Sequence, residues 1–298
     1  MHRATILLVT FLLVALPPIA ASAAASGHPV SLWMAEGTHN RVYLLGSVHM
    51  LRESDHPLPS VIDAAYDDAE LLFMEIDMDD IDAAASQALV TKLGVIDDAT
   101  TLRDLMGSDL YDKAAQAALE LDIPLEMLAK TEPWLAAITV TQLVLNRIGF
   151  NPLYGVEMHL SAKAAKDGKE IRGFESVEEQ LEFLDGLSLD LQRDLLLQTL
   201  AEGRNIQVVM SSLIDAWRNG DLQFLEDNML ADMAQYPELY RSLVVDRNLR
   251  WVEDIHALLD DDDDYLIVVG ALHLIGADGV PELLSRRGVR VSQMHQQE

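Results

Sequence analysis

The stretch YLIVVGALH, residues 265–273, carries the strongest signal for a parallel sheet. Five apolar residues in a row, β-branched at the centre, run into a glycine and then a histidine. A short run apolar at every position reads as a strand buried on both faces, as in a parallel sheet covered by helices. The same device stands near the start of the chain as VYLLGSVH, residues 42–49. Two further runs, LLFMEI at 71–76 and KEIRGF at 169–174, end beside acids, Glu75 and Glu175. Residues 31–34 pair with 41–45 as a hairpin across the turn formed by Gly37, Thr38, His39 and Asn40, and residues 289–292 make a last strand.

Between the strands the pattern is helical. Residues 58–69 carry helical spacing with Pro59 near the start. Ser108 is expected to cap a helix to about 121, and Thr131 to cap another that has Pro133 in its first turn and runs to about 148. Further helices cover 155–166, closed by Gly168, and 206–217. Leucines recur at helical spacing over 177–203. Asp221 caps another helix, and a long one runs from Pro237 to about 259. Asp260 to Asp264 read as a solvated loop tip, since a bare acidic run lacks the ordered ligand spacing of a calcium loop. The fold class is α/β: a central mixed sheet with a large helical insertion lobe, built from about 80–165 and 180–255.

Composition narrows function by exclusion. With 21 basic and 49 acidic residues the net charge is -28, and there is no cysteine. Such a chain repels phosphate backbones and is not held to anionic lipid by basic patches, so nucleic acid is excluded as a partner. Disulfides, thiolate zinc sites, iron–sulfur clusters and thiol nucleophiles are excluded as well. Residues 1–23 have the pattern of a secretory signal peptide: Arg3, an apolar run over 4–16, then Pro17 and Pro18, and an Ala21-Ser22-Ala23 cleavage site, with Ala23-Ala24-Ala25 as a second option. The run is short for a membrane span. The expectation is a periplasmic or secreted protein, residues 24–298 forming a single domain with no stable membrane span after cleavage.

In parallel α/β sheets ligands bind beyond the carboxyl ends of the strands. Two histidines, His49 and His273, and two glutamates, Glu75 and Glu175, stand at four strand ends and are placed to converge. Imidazoles with carboxylates suit a divalent metal such as zinc, manganese, cobalt or iron(II), which lowers the pKa of a bound water and so makes a nucleophile. His49, Glu75 and His273 are the metal ligands of this scheme, with Glu175 a fourth ligand or the general base. Arg247 shares a helix face with Trp251. It either orients substrate and stabilises an oxyanion or forms a salt bridge. Glu157 and His159, two apart on a helix, do not share a face, which sets that pair aside as joint ligands. Glu253 and His256 have the E-x-x-H spacing of di-iron bundles without the second copy such sites need. No H-E-x-x-H, G-x-S-x-G or phosphate-binding loop is present.

Taken in order, LWMAEG (32–37), VYLLGSVHML (42–51), FMEID (73–77), GVEMHL (155–160), GFESVEEQL (173–181), YPELY (236–240), DRNLRW (246–251) and VGALHLIGADGV (269–280) resemble the TraB/GumN family, related to the Tiki proteins. The resemblance covers about residues 30–292. It implies a fold similar to the erythromycin-esterase and ChaN-like group, with two related halves that each contribute a G-x-x-H and an acidic strand end. The Tiki relatives are regarded as extracellular metal-dependent proteases using manganese or cobalt. TraB relatives are linked to shutdown of peptide pheromones, and GumN relatives to exopolysaccharide production. By position the family motifs fall on His49, Glu75, Glu175 and His273, with Arg247 and Asn248 in the R-N-x-x-W segment. The function so implied is an exported metal-dependent hydrolase acting on a peptide or another small extracytoplasmic substrate. The alternatives are an exported protein that sequesters a peptide, haem or iron without turnover, and an accessory factor in exopolysaccharide production.

Overall fold

A computed structural model describes residues 29–233 and 236–295. The signal-like segment 1–23 lies outside the described residues. Six strands form one mixed sheet: β1 (Pro29–Glu36), β2 (Arg41–Ser47), β3 (Leu71–Ile76), β4 (Ile171–Glu175), β5 (Tyr265–Gly270) and β6 (Arg290–His295), in the order β4-β3-β5-β2-β1-β6. β4, β3, β5 and β2 are parallel neighbours, while β1 runs antiparallel between β2 and β6. The four strands expected to end in chemistry are thus adjacent and point the same way.

Burial explains the order. β5 is buried from Tyr265 to Val269 and β2 from Val42 to Ser47, as central strands covered on both faces must be. The edge strands β4 and β6 each expose alternate or successive residues, among them Arg172 and Arg290. Charged side chains on an edge discourage pairing with another chain. Leu32, Leu44, Leu72, Leu266, Ile267 and Val268 are fully enclosed at the centre of the sheet. The packed side chains continue into the helices through Trp134, Trp217 and Trp251.

Most helices stand where the pattern places them, including Ser60–Asp68, Pro133–Arg147, Val156–Asp167 and Ile206–Asn219. Two caps differ. The Ser108–Leu119 helix is preceded by Gly107 at φ 75°, and Ser108 is already its first helical residue. The Pro133–Arg147 helix has Glu132 at its cap position, while the Thr131 hydroxyl donates backward to the Leu128 carbonyl (2.9 Å). In both cases a neighbouring residue has the non-helical backbone that a cap requires. The helix Ala83–Gly94 carries no sharp apolar stripe, and Leu102–Met106 is little more than one turn, too short for a helical period to mark it. The long helix from Pro237 is interrupted by a π-turn at Arg241–Val245 before continuing as Asp246–Leu258. π-turns are rare and cluster at functional sites; this one ends two residues before Arg247. Asp260 to Asp263 are exposed, and Asp264 pairs with Arg41 (2.8 Å).

Candidate functional site

The site lies beyond the carboxyl ends of β2, β5, β3 and β4. Each Gly-X-X-His segment is pinned by backbone before its histidine is reached. Residues 48–51 are held against 151–156: Val156 N–H donates to the Val48 carbonyl (3.1 Å) and Asn151 N–H to Leu51 (2.9 Å). Gly155 permits this, because a β-carbon there would overlap the His49 carbonyl. The second segment is held by Asn248, whose Nδ2 donates to the carbonyls of His273 (3.1 Å) and Asp278 (2.8 Å).

Both imidazoles have one nitrogen occupied by a fixed partner and the other turned inward. His49 Nδ1 pairs with Glu157 Oε1 at 2.7 Å, and the Ser47 hydroxyl donates to the same oxygen. His273 Nδ1–H donates to Asn248 Oδ1 (2.6 Å). Since the Asn248 amide nitrogen is committed to two carbonyls, its oxygen must face the imidazole, which assigns the His273 proton to Nδ1. The His273 ring packs against Trp251, with centroids 4.5 Å apart. The inward atoms meet over Gly270. A β-carbon added at Gly270 would lie 3.3 Å from Glu75 Oε1, 3.5 Å from His49 Nε2 and 3.7 Å from His273 Cδ2. Glycine therefore keeps open a small space bounded by the three residues expected to hold a metal. Glu75 Oε1 accepts from Gly270 N–H (2.7 Å) and is 3.9 Å from His273 Nε2.

Arg247 occupies the centre. Its Nε donates to both oxygens of Glu175 (3.0 Å each), its Nη2 to Glu75 Oε2 and Glu175 Oε2 (2.7 Å each), and its Nη1 to His273 Nε2 (3.1 Å). Arg250, three residues on and so on the same face, reaches Glu175 Oε1 at 2.9 Å. Gln180 Nε2 donates to Glu75 (3.1 Å). All six residues singled out from sequence are brought together, but in different parts. Glu175, read as a fourth ligand or base, has both oxygens taken by arginines and only 1% of its side chain accessible; here it anchors Arg247. Arg247 makes the salt bridges of its second reading, inside the site. Glu157, set aside in the sequence, orients His49. Its signal was the close glycine before its helix; its partner lay on a strand end over a hundred residues away.

A divalent cation fits this donor set in part. His49 Nε2, Glu75 Oε1 and His273 Nε2 are oriented as ligands usually are, each imidazole holding an oxygen acceptor at its other nitrogen. Among the described residues, however, no group of three His, Asp or Glu side chains is placed so that it could hold a metal ion as it stands. The physical reason is Arg247, whose guanidinium provides the local positive charge and covers His273 Nε2. The fit therefore requires Arg247 Nη1 to leave that nitrogen, while the bonds to Glu75 and Glu175 hold the guanidinium beside it.

The charges polarise the two histidines in opposite directions. Glu157 raises the His49 pKa to about 9 against the opposing effect of burial. Burial, reinforced by Arg247, lowers that of His273 to about 3. Burial alone would raise Glu75, but Arg247, His273, His49 and the Gly270 N–H outweigh it and hold the carboxyl well below the usual range. In the metal-free chain, imidazole NMR is therefore expected to show His49 losing its proton near pH 9 and His273 staying neutral to about pH 3. Two histidines titrating together near 6.5 would contradict this arrangement.

Fold and cluster together define a class: an α/β protein whose adjacent parallel strands end in two Gly-X-X-His segments and two glutamates around one buried arginine. The chain belongs to the TraB/PrgY/gumN family, whose model matches residues 31–293. It is similar to the uncharacterized protein YbaP of Escherichia coli strain K12 and to that of Shigella flexneri, each 24% identical over 242 residues, spanning 81% of this chain and 87% of the relative. No solved structure matches. Among the described residues no helix is long and apolar enough to cross a membrane.

Proposed function

We propose that this protein is an exported, divalent-metal-dependent hydrolase acting on peptide bonds. One observation carries the proposal: His49 Nε2, Glu75 Oε1 and the edge of the His273 ring border one small space over Gly270 at the carboxyl edge of a parallel sheet. His49, Glu75 and His273 would hold the cation. When bound, the cation supplies an activated water and polarises the scissile carbonyl. Glu157 and Asn248 keep the Nε2 atoms of His49 and His273 directed inward. Glu175 and Arg250 fix Arg247, which stays beside the reacting carbonyl and stabilises negative charge on its oxygen. Export rests on the amino-terminal pattern, and the isolated protein is expected to begin at Ala24 or, with the second cleavage option, at Ser26. Mass spectrometry of the intact chain checks this.

The deciding experiment is elemental analysis of the purified protein. It is followed by reconstitution with manganese, cobalt, zinc or iron(II) and assay against a peptide library. Hydrolysis that requires a stoichiometric cation supports the proposal; a cation without turnover favours a protein that sequesters its ligand. A second reading rests on Arg247 covering His273 Nε2: hydrolysis without metal, in which water attacks the carbonyl carbon and gives a proton to the Glu75 carboxylate, protonated His49 donates its proton to the amine as the C–N bond breaks, and Arg247 faces the carbonyl oxygen. Activity that survives chelation would select it.

Gly270→Ala tests the space itself. The backbone at Gly270 (φ -51°, ψ 138°) accepts any residue, so the fold is expected to lose no more than about 1 kcal/mol. The added methyl faces Glu75 and His49, and activity is expected to fall at least about tenfold. Unchanged activity would place the chemistry elsewhere.

A further inference from the structure

A cavity of about 480 Å³ opens from the polar cluster, and its far wall is almost entirely apolar. Its charged lining residues, His49, Glu75, Glu157 and Arg247, all lie at the cluster end and are paired with one another or with Glu175. The wall is assembled from several separate elements. Met78 follows β3, Ile138 comes from the Pro133–Arg147 helix and Met158 from the Val156–Asp167 helix. Leu181 comes from the Val177–Asp185 helix, and Met229 and Leu243 from the π-turns Glu226–Leu230 and Arg241–Val245. Side chains from elements that converge in this way normally interdigitate to crystal-like density. Here they stop short and leave a concavity within the usual size range for a bound ligand.

The geometry points to an apolar subsite: this wall receives a bulky uncharged side chain of the substrate, next to the bond presented to His49, Glu75 and His273. A charged side chain would enter a wall with no counter-charge and lose its hydration unrepaid. Methionine is the most adaptable of apolar residues, so Met78, Met158 and Met229 let the wall close on both aliphatic and aromatic side chains. The subsite is therefore selective for apolar over polar residues and tolerant among apolar ones. It deepens the hydrolase proposal and rests on it for the position of the scissile bond, whereas binding can be read without turnover.

The test uses the full chain with 13C-methyl methionine and acetylated, amidated peptides Gly-Gly-Xaa-Gly-Gly, with Xaa leucine, phenylalanine, serine, lysine or glutamate. The leucine and phenylalanine peptides are expected to shift the methyl signals of Met78, Met158 and Met229. They are also expected to bind at least about tenfold more tightly than the other three, the advantage of burying one large apolar side chain. Leu181→Gln and Met158→Gln, on different helices, are each expected to weaken the leucine peptide at least fivefold and leave the serine peptide unchanged. A native methyl spectrum confirms that each variant is folded. Equal affinity across the series, absence of binding by any peptide, or shifts confined to other methionines would overturn the subsite. Selective binding without cleavage keeps the subsite and removes the hydrolase; cleavage without apolar preference does the reverse.

Discussion

His49→Ala is expected to release the divalent cation and lower hydrolysis by more than about 100-fold while the protein stays folded. Loss of an outer partner of a ligand typically costs 10–100-fold in affinity or activity, and loss of the ligand itself should exceed that. His49 suits this test because 43% of its side chain is open to the cavity, so its removal vacates little packed volume. His273 is 5% exposed and packed on Trp251. Its alanine variant should lose the cation equally, but it also leaves Asn248 Oδ1 without a partner, at about 1–3 kcal/mol for a buried group left unsatisfied, and leaves Arg247 Nη1 with the Leu243 carbonyl alone. Glu157→Gln and Asn248→Ala should fall between wild type and the histidine variants, because they disturb ring orientation and leave the donors in place. The ordering is the content of the prediction, read by metal content after gel filtration and by initial rates. Full stoichiometry in both histidine variants would remove these residues from the metal assignment.

The parts of this picture visible in the sequence share a physical cause. β5 and β2 are legible because strands covered on both faces must be apolar at every position, and glycine must follow where the backbone turns at a ligand edge. His49, Glu75, Glu175 and His273 are legible because a histidine or glutamate at, or within three residues of, the end of a strand is conspicuous. Contacts between elements are not legible in this way. The pairing of Glu157 with His49 joins a helix start to a strand end, and no periodicity within either one reveals it. The intrahelical rule used to set Glu157 aside was sound for Glu157 with His159 but silent about His49. Charge pairing behaves likewise: the R-N-x-x-W segment marked Arg247 and Asn248 through resemblance. That Glu175 is spent on Arg247 and Arg250 depends on how the Asp246–Leu258 helix docks after its π-turn, a deviation that the apolar spacing of residues 237–259 does not encode. The caps at Ser108 and Thr131 failed on a smaller scale, since each has a neighbour that supplies the cap geometry.

Arg247→Ala is expected to give the largest loss of stability of any single substitution in the site. Arg247 is 7% exposed, and its guanidinium joins Glu75, Glu175, His273 and the Leu243 carbonyl. Removing one member of a buried ion pair typically costs about 3–5 kcal/mol, because the partner charge stays behind without compensation. Glu175 retains Arg250, but that residue is half exposed and reaches only Oε1; Glu75 keeps only Gln180 and the Gly270 N–H besides the histidines. The loss should therefore appear as a lower urea midpoint with an unchanged slope. It should also depend on pH. In wild type the Glu75 carboxyl is depressed on folding, so its contribution is complete above the unfolded carboxylate pKa of about 4.3 and is lost as pH falls through the lower folded value. Without Arg247, burial dominates and the Glu75 pKa rises, so the difference between wild type and variant should be widest near neutral pH and shrink on acidification as the stranded Glu75 carboxylate becomes neutral. Arg247→Met alone and combined with Glu175→Gln separates packing from charge: both restore apolar bulk, and only the second removes one of the stranded charges. Recovery that appears only with Glu175→Gln would identify uncompensated charge as the cause. Full recovery by Arg247→Met alone would mean that Arg247 stabilises the fold chiefly through its packing on Trp251, 4.7 Å from its ring centre, and the cluster would lose its electrostatic rationale.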